Sequence, residues 1–217
     1  SIGHINFGTN QITSIVPHPK LESVFAIADT DKKITVLNVR TGKRLIEFKP
    51  AFPREGILGG NYRLAFSPDG DEIAVGRNQD GGIVIHRTSD GTKTIGWDAP
   101  TTTTQFTDPK NKKGLLRYDP SGKCLMQNRF GEEVRFWNPK TGELLWTYTQ
   151  SKRWLERVPA DFISKDEDIA ANNHDGMGLF KALTGEPIRK IEATHIAGLQ
   201  NLVQAQWPLR KNDRNKH

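Results

Sequence analysis

The sequence predicts an all-β fold built from four consecutive copies of a four-stranded antiparallel unit. The first supporting observation is a tight turn that recurs with glycines at positions 42, 91, 142 and 185, so that the unit repeats every 43 to 51 residues. The second is an alternation of apolar and polar residues before each turn, which is the period of a strand with one buried face. Repeats of this length indicate a stacked repeat architecture.

Each recurring turn is predicted to join two strands into a hairpin. Before the turns, apolar side chains lie two residues apart, as in Ile34 and Val36 or Val134 and Phe136. After the turns, short second strands are predicted at 44–48, 93–97, 143–148 and 188–191. Glycine adopts a positive φ at little cost, which suits it to these tight reversals. We therefore expect four antiparallel hairpins.

A further pair of strands is predicted to precede each hairpin. The clearest copy reads Tyr-Arg-Leu-Ala-Phe-Ser-Pro-Asp-Gly at 62–70 and continues into a strand at 72–76. Proline at the second turn position presets φ, and Asp and Gly favour the reversal that follows. Corresponding pairs are predicted within 12–28, 115–128 and 158–172. One unit is then a four-stranded antiparallel sheet.

This unit resembles a blade of the WD-repeat β-propeller family. The most specific matching pieces are Phe-Ser-Pro-Asp-Gly at 66–70, Phe-Trp-Asn at 136–138 and Thr-Gly at 141–142. The Trp-Asp pair of the family is replaced here by Leu37-Asn38, His86-Arg87, Trp137-Asn138 and Lys181-Ala182. The resemblance implies four divergent blades, held mainly by apolar packing between neighbours rather than by buried hydrogen-bond networks.

The resemblance also suggests domain boundaries and an incomplete ring. Blades are predicted at 11–50, 61–98, 113–148 and 157–192. Residues 1–10 resemble a strand that completes a preceding or partner blade, 193–209 the first strand of a further blade, and 210–217 a basic tail. Seven blades are usual in the family. Three arrangements would cover the sheet faces at both ends: a longer polypeptide, a partner chain that supplies the remaining blades, or two copies that form an eight-blade ring.

The composition favours a soluble protein of the cytoplasm, with the nucleus as an alternative. Hydrophobic residues make up 35% of the chain and charged residues 26%, and no apolar segment is long enough to cross a bilayer, so no membrane partner is expected. The first ten residues lack the layout of a secretion signal. A single cysteine, Cys124, allows no internal disulfide, and we interpret it as a small buried hydrophobic residue, with a reactive thiol as the alternative.

No catalytic constellation is apparent, so neither an enzyme, a metal site nor a cofactor is predicted. The six histidines are dispersed, and the chain has no His-x-x-x-His or Cys-x-x-Cys spacing. No glycine-rich phosphate loop leads from a strand into a helix. His174-Asp175 is the one pair that could serve a propeller hydrolase, and its alternative role is a polar loop with the usual aspartate of a blade.

In propellers, the loops between blades and the loops between second and third strands gather on one rim. Aromatic and guanidinium side chains carry most of the binding energy at protein interfaces. The predicted partner-binding residues are Arg77, Arg129, Phe130, Arg153, Trp154 and Arg157. An alternative role for Phe130 and Trp154 is to cap the edge of their own blades.

The net charge of +6 is concentrated in loops and in the C-terminal tail. This charge suits three roles: solubility, an acidic protein partner, or nucleic acid. We interpret the chain as a non-catalytic protein–protein interaction scaffold that presents rim loops to a partner, and an acidic protein is one candidate for that partner. The alternatives are a nucleic-acid or ribonucleoprotein-associated subunit that uses the basic loops, and a ligand-sensing or regulatory segment of a multidomain protein.

Overall fold

A computed structural model describes residues 9–54, 61–77, 80–99, 115–129, 133–149, 160–163, 168–173 and 176–192. In these ranges the regular structure consists of sixteen strands, with no helix. The strands form four sheets of four, each ordered as in the chain and antiparallel throughout. The predicted all-β class and the four-stranded antiparallel unit are therefore confirmed.

The four sheets follow one another along the chain. The first contains β1 (Ile12–Pro17), β2 (Val24–Asp29), β3 (Ile34–Asn38) and β4 (Arg44–Phe48). The second contains β5 (Tyr62–Phe66), β6 (Glu72–Arg77), β7 (Ile83–Arg87) and β8 (Lys93–Trp97). The third contains β9 (Leu115–Tyr118), β10 (Leu125–Arg129), β11 (Glu133–Trp137) and β12 (Leu144–Thr149). The fourth contains β13 (Ala160–Phe162), β14 (Asp168–Asn173), β15 (Gly176–Lys181) and β16 (Pro187–Glu192).

All four predicted hairpins share one geometry. In each, the register between the third and fourth strands shifts by one residue next to the turn, as between Val36 and Leu37 in the first sheet. The turn glycines have φ between +69° and +72°. Their amides donate to the carbonyl four residues earlier, over 2.8 to 2.9 Å. The sequence repeat is therefore also a structural repeat.

Successive sheets pack face to face through three apolar clusters. Ala26 and Val36 of the first sheet meet Leu64 and Val75 of the second. The other clusters join the second sheet to the third and the third to the fourth. The first strands of successive sheets are also neighbours, because β1 contacts β5 and β5 contacts β9. These clusters cover both faces of the second and third sheets and one face each of the first and fourth.

The turn glycines add a second contact between successive sheets. A Cβ on Gly142 would lie 2.8 Å from Cε3 of Trp97, which belongs to the outermost strand of the preceding sheet. Gly185 approaches Trp146 in the same way, and Gly91 approaches Phe48. Each outer strand therefore places a large side chain against the hairpin turn of the next sheet, and a glycine makes room for it.

Buried polar groups supplement the apolar packing. Asp119 is buried, and its carboxylate accepts hydrogen bonds from the Cys124 amide at 2.6 Å and from Ser121. Arg135 is also buried, and two of its nitrogens lie 2.9 and 3.1 Å from the Glu133 carboxylate. Both sets of contacts lie within the third sheet and do not join neighbouring sheets.

Cys124 is fully buried, with its Sγ 3.7 Å from the carbonyl oxygen of Ala182 in the fourth sheet. This environment agrees with a small buried side chain. The predicted flanking segments lie outside the described residues: 1–8 of the N-terminal strand, the whole of 193–209 and the tail at 210–217. The predicted blade boundaries therefore stay predictions.

Candidate interaction surface

The antiparallel order places two kinds of loop at opposite ends of every sheet. The turns between second and third strands and the connections between sheets lie at one end, which we call the connection rim. In the described residues it comprises 30–33, 49–54, 80–82 and 98–99. The first turn of each sheet and the glycine-bearing hairpin turn lie at the other end, which we call the hairpin rim.

Arg77 is the last residue of β6, at the connection rim, and its side chain is only 10% exposed. Its Nε lies 2.8 Å from Oδ1 of Asp80, in the turn that follows β6. Its Nη1 donates to the carbonyl oxygen of Arg54 at 2.7 Å, and its Nη2 donates to Oδ1 of Asp98 at 3.3 Å. One guanidinium thus ties three segments of the connection rim to the second sheet.

Packing fixes the Arg77 side chain from both sides. Its guanidinium carbon lies 4.3 Å from the centre of the Phe52 ring, and Phe52 packs in turn against Tyr62. On the other side, a Cβ on Gly82 would lie 2.6 Å from Nη2. Burial raises the pKa of the Tyr62 phenol, although the nearby charge of Arg77 lowers it. A cation placed over an aromatic face and paired with two carboxylates is well stabilised in a buried position.

The solvent-facing member of this cluster is Arg54. Its side chain is 76% exposed, and its Nε lies 3.6 Å from Oδ2 of Asp98. The two arginines and the two aspartates of the cluster balance in formal charge. Nevertheless, a guanidinium presents its donors in a planar fork that matches a carboxylate, so Arg54 is chemically suited to bind an acidic group.

The structure describes only part of the predicted site. Arg77 is turned inward and holds the rim together. Arg129 ends β10 at the connection rim, where its backbone pairs with that of Glu133. The other predicted binding residues lie outside the described residues; these are Phe130, Arg153, Trp154 and Arg157. The predicted site therefore stays a prediction, as does the check on His174 and Asp175, which also lie outside.

Arg54 and Phe52 were missed as individual residues, although their loop was expected on this rim. To identify them, one must know that Arg77 turns inward and leaves Arg54 as the exposed guanidinium. An Arg two residues after a Phe in a connection is the only local signal, and it is a weak one. The partners of Arg77 are 21 to 23 residues away along the chain, so no short sequence window contains them.

No group of three or more His, Cys, Asp or Glu side chains within the described ranges is placed to hold a metal ion. A search of the same ranges found no helix that is long and apolar enough to span a membrane.

Comparison with known proteins identifies the architecture. The structure is similar to the crystal structure of the C-terminal WD40 domain of Sif2, with a TM-score of 0.59 and 14% sequence identity. The match covers 82% of this chain and 48% of the other, so the chain spans about half the length of the solved domain. Neither a protein-family model nor a curated protein sequence matches the chain. At this identity the likeness establishes the fold alone. The four sheets are WD40-type propeller blades.

Proposed function

We propose that the chain is a non-catalytic interaction scaffold that presents its connection rim to a protein partner with acidic surface groups. The observation that carries the proposal is the anchoring of three rim segments by Arg77. Because these segments are already ordered, a partner that docks on them immobilises few additional side chains, which favours binding. Fold alone does not decide function, so the proposal depends on this surface.

The acidic character of the partner is inferred from charge. Arg54 projects from the anchored cluster, and the chain as a whole carries a net charge of +6. Exposed cations around an interface steer an acidic partner and raise its association rate. We propose that the predicted residues Arg129, Phe130, Arg153, Trp154 and Arg157 extend the same surface.

A comparison of charge reversals on the two rims tests the proposal. Tagged full-length protein would be expressed in its own cells as wild type, Arg54→Glu and Arg40→Glu, and co-purifying proteins would be quantified by mass spectrometry. Arg40 is the matched control, since it is an exposed arginine on the hairpin rim. We expect a specific protein partner whose recovery falls about tenfold with Arg54→Glu and is unchanged with Arg40→Glu. Equal recovery with both variants would contradict the proposal.

The two alternative functions make different predictions for purified protein. A nucleic-acid-binding subunit would bind single-stranded RNA with an affinity that falls steeply as salt rises, through the basic loops and tail. A ligand-sensing segment would need an attached effector domain, which the full-length polypeptide would reveal. Neither of these two alternative functions is supported by a contact in the described residues. We also propose a cytoplasmic location, with the nucleus as the alternative.

Completion of the ring is a separate part of the proposal. A longer polypeptide, a partner chain or a second copy would each supply the remaining blades. The mass of the native protein in solution, compared with the length of its polypeptide, distinguishes these arrangements. A stable monomer of this chain alone would contradict all three.

A further inference from the structure

A small pocket lies between the second and third sheets, close beneath the connection rim. Its walls include Gly76 and Arg77 of β6, Arg63 of β5, Leu116 of β9 and Gln127 of β10. The space exists because residue 76 has no side chain. A Cβ at this position would lie 3.3 Å from Leu116 Cδ2 and 3.7 Å from Gln127 Nε2.

Gln127 has a fixed orientation and an unsatisfied oxygen in this pocket. The side chain is only 4% exposed, and its Nε2 donates to the carbonyl oxygen of Gly81 at 3.0 Å. The amide cannot be reversed, because Oε1 would then face that carbonyl oxygen. In the part of the chain that the structure describes, no donor reaches the buried Oε1. A buried carbonyl oxygen normally has a partner, either in the protein or in an ordered water.

The walls restrict the chemistry of that partner. It must donate a hydrogen bond to Gln127 Oε1, which excludes an ionised carboxylate because that group only accepts. The positive charges of Arg63 and Arg77, two of the lining residues, disfavour an ammonium ion. A neutral group that both donates and accepts meets both conditions. The space left by one missing methyl group has the size for a water molecule.

We infer that this pocket binds one structural water, which donates to Gln127 Oε1. This water lies between the second and third blades, as does the direct bond from Gln127 to Gly81. The inference concerns the interior of the propeller and is independent of the proposed partner.

A double-mutant cycle tests the water site. Gly76→Ala would be introduced into the wild type and into Gln127→Met, which replaces the amide with an apolar side chain of similar length. In the wild type the added methyl group displaces the water and leaves Oε1 without a donor, so we expect Gly76→Ala to lower stability. In the Gln127→Met background the bond to Gly81 is already lost with or without the added methyl group, and no Oε1 remains to be stranded, so the same change should be neutral or stabilising. The effect of Gly76→Ala on the unfolding equilibrium constant should differ by at least about fivefold between the backgrounds.

Equal effects in the two backgrounds would overturn the inference. A crystal structure of the wild-type protein at high resolution provides a second measurement that does not depend on how the variants fold. We expect an ordered water within about 3.2 Å of Gln127 Oε1. Clear density for the glutamine with no such water would likewise overturn the inference. Neither the double-mutant cycle nor the crystal structure depends on whether the protein binds its proposed partner.

Discussion

His18, in the turn that follows β1, lies directly over Gly70, in the corresponding turn of the second blade. A Cβ on Gly70 would be 2.2 Å from Cε1 of His18, and the ring centre of His18 lies 4.9 Å from that of Phe66. The Nδ1 of His18 accepts hydrogen bonds from the amides of Lys20 and Leu21, at 3.1 and 3.0 Å. An imidazole nitrogen accepts only when it carries no proton, so these two bonds within the turn require neutral histidine.

The first prediction is a loss of stability in mild acid. Burial lowers the pKa of His18 below its usual value, more strongly than the hydrogen bond with Gly70 and the charge of Asp71 raise it, and burial also lowers the pKa of His86. In the unfolded chain these histidines bind protons near pH 6.5, whereas in the folded chain they bind protons only at lower pH. Stability should therefore be constant above about pH 6.5 and decrease as the pH falls below it. Urea unfolding at pH 7.5 and 5.5 measures the difference.

His18→Asn isolates the contribution of this residue. The asparagine Oδ1 can accept from the same two amides and does not titrate. We expect the loss of stability between pH 7.5 and 5.5 to be smaller in this variant than in the wild type, with the remaining part due to His86 and other groups. An unchanged loss would show that His18 is not a source of the acid sensitivity.

The second prediction compares two turn glycines. Gly142 and Gly42 both have φ of +72°, so alanine at either position costs roughly 1–2 kcal/mol of backbone strain. Only Gly142 lies against a described side chain, that of Trp97, while no described atom lies within 4 Å of a Cβ at Gly42. Gly142→Ala should therefore destabilise the protein by about 1–3 kcal/mol more than Gly42→Ala. Equal midpoints in denaturant for the two variants would show that the tryptophan can move away without cost.

The third prediction concerns the planar guanidinium group of Arg77. Arg77→Lys keeps the charge, but an ammonium group cannot reach Arg54, Asp80 and Asp98 together, so we expect a loss of about 1–3 kcal/mol. Arg87→Lys is the matched control, since Arg87 pairs with Asp90 on the surface and its loss should stay below about 0.5 kcal/mol. Limited proteolysis should also cleave Arg77→Lys faster within 49–54. Similar stability and cleavage for both variants would argue against an anchoring role.

The fourth prediction tests the inward face of β5. Phe66 belongs to the apolar cluster between the first and second blades and is almost fully buried. Phe66→Asp places a carboxylate in that cluster and should unfold the second blade, with a loss above about 4 kcal/mol. Phe66→Leu keeps an apolar side chain and should remain folded. Circular dichroism during heating separates the two outcomes, and wild-type-like melting of Phe66→Asp would contradict the assignment of this face.

The sequence was sufficient for the elements whose signals are local. The strands predicted at 44–48 and 93–97 match β4 and β8 residue for residue, because an alternating strand and a glycine turn lie within one short window. The order of strands within each sheet followed from the same hairpins. The blade-like repeat was therefore readable without coordinates.

The candidate site was less accessible because its contacts are distant in sequence. The role of Arg77 depends on Arg54 and Asp98, on opposite sides of it along the chain. The bond from Gln127 to Gly81 spans 46 residues, and no pattern in β10 or in the turn between β6 and β7 predicts it. A guanidinium that binds a partner and one that braces the protein look alike in a sequence, and only burial separates them.

The contact between a turn glycine and the large outer-strand side chain of the preceding blade has a direction. The large side chains act as knobs on the trailing side of their sheets; they are Phe48, Trp97 and Trp146. The matching sockets, on the leading side of the next sheet, are Gly91, Gly142 and Gly185. Such head-to-tail contacts do not saturate, because each added unit receives the previous knob in its own socket and brings a new knob. The number of blades in a complete ring is thus set by the angle at which the ring closes, and these local contacts do not by themselves specify that number.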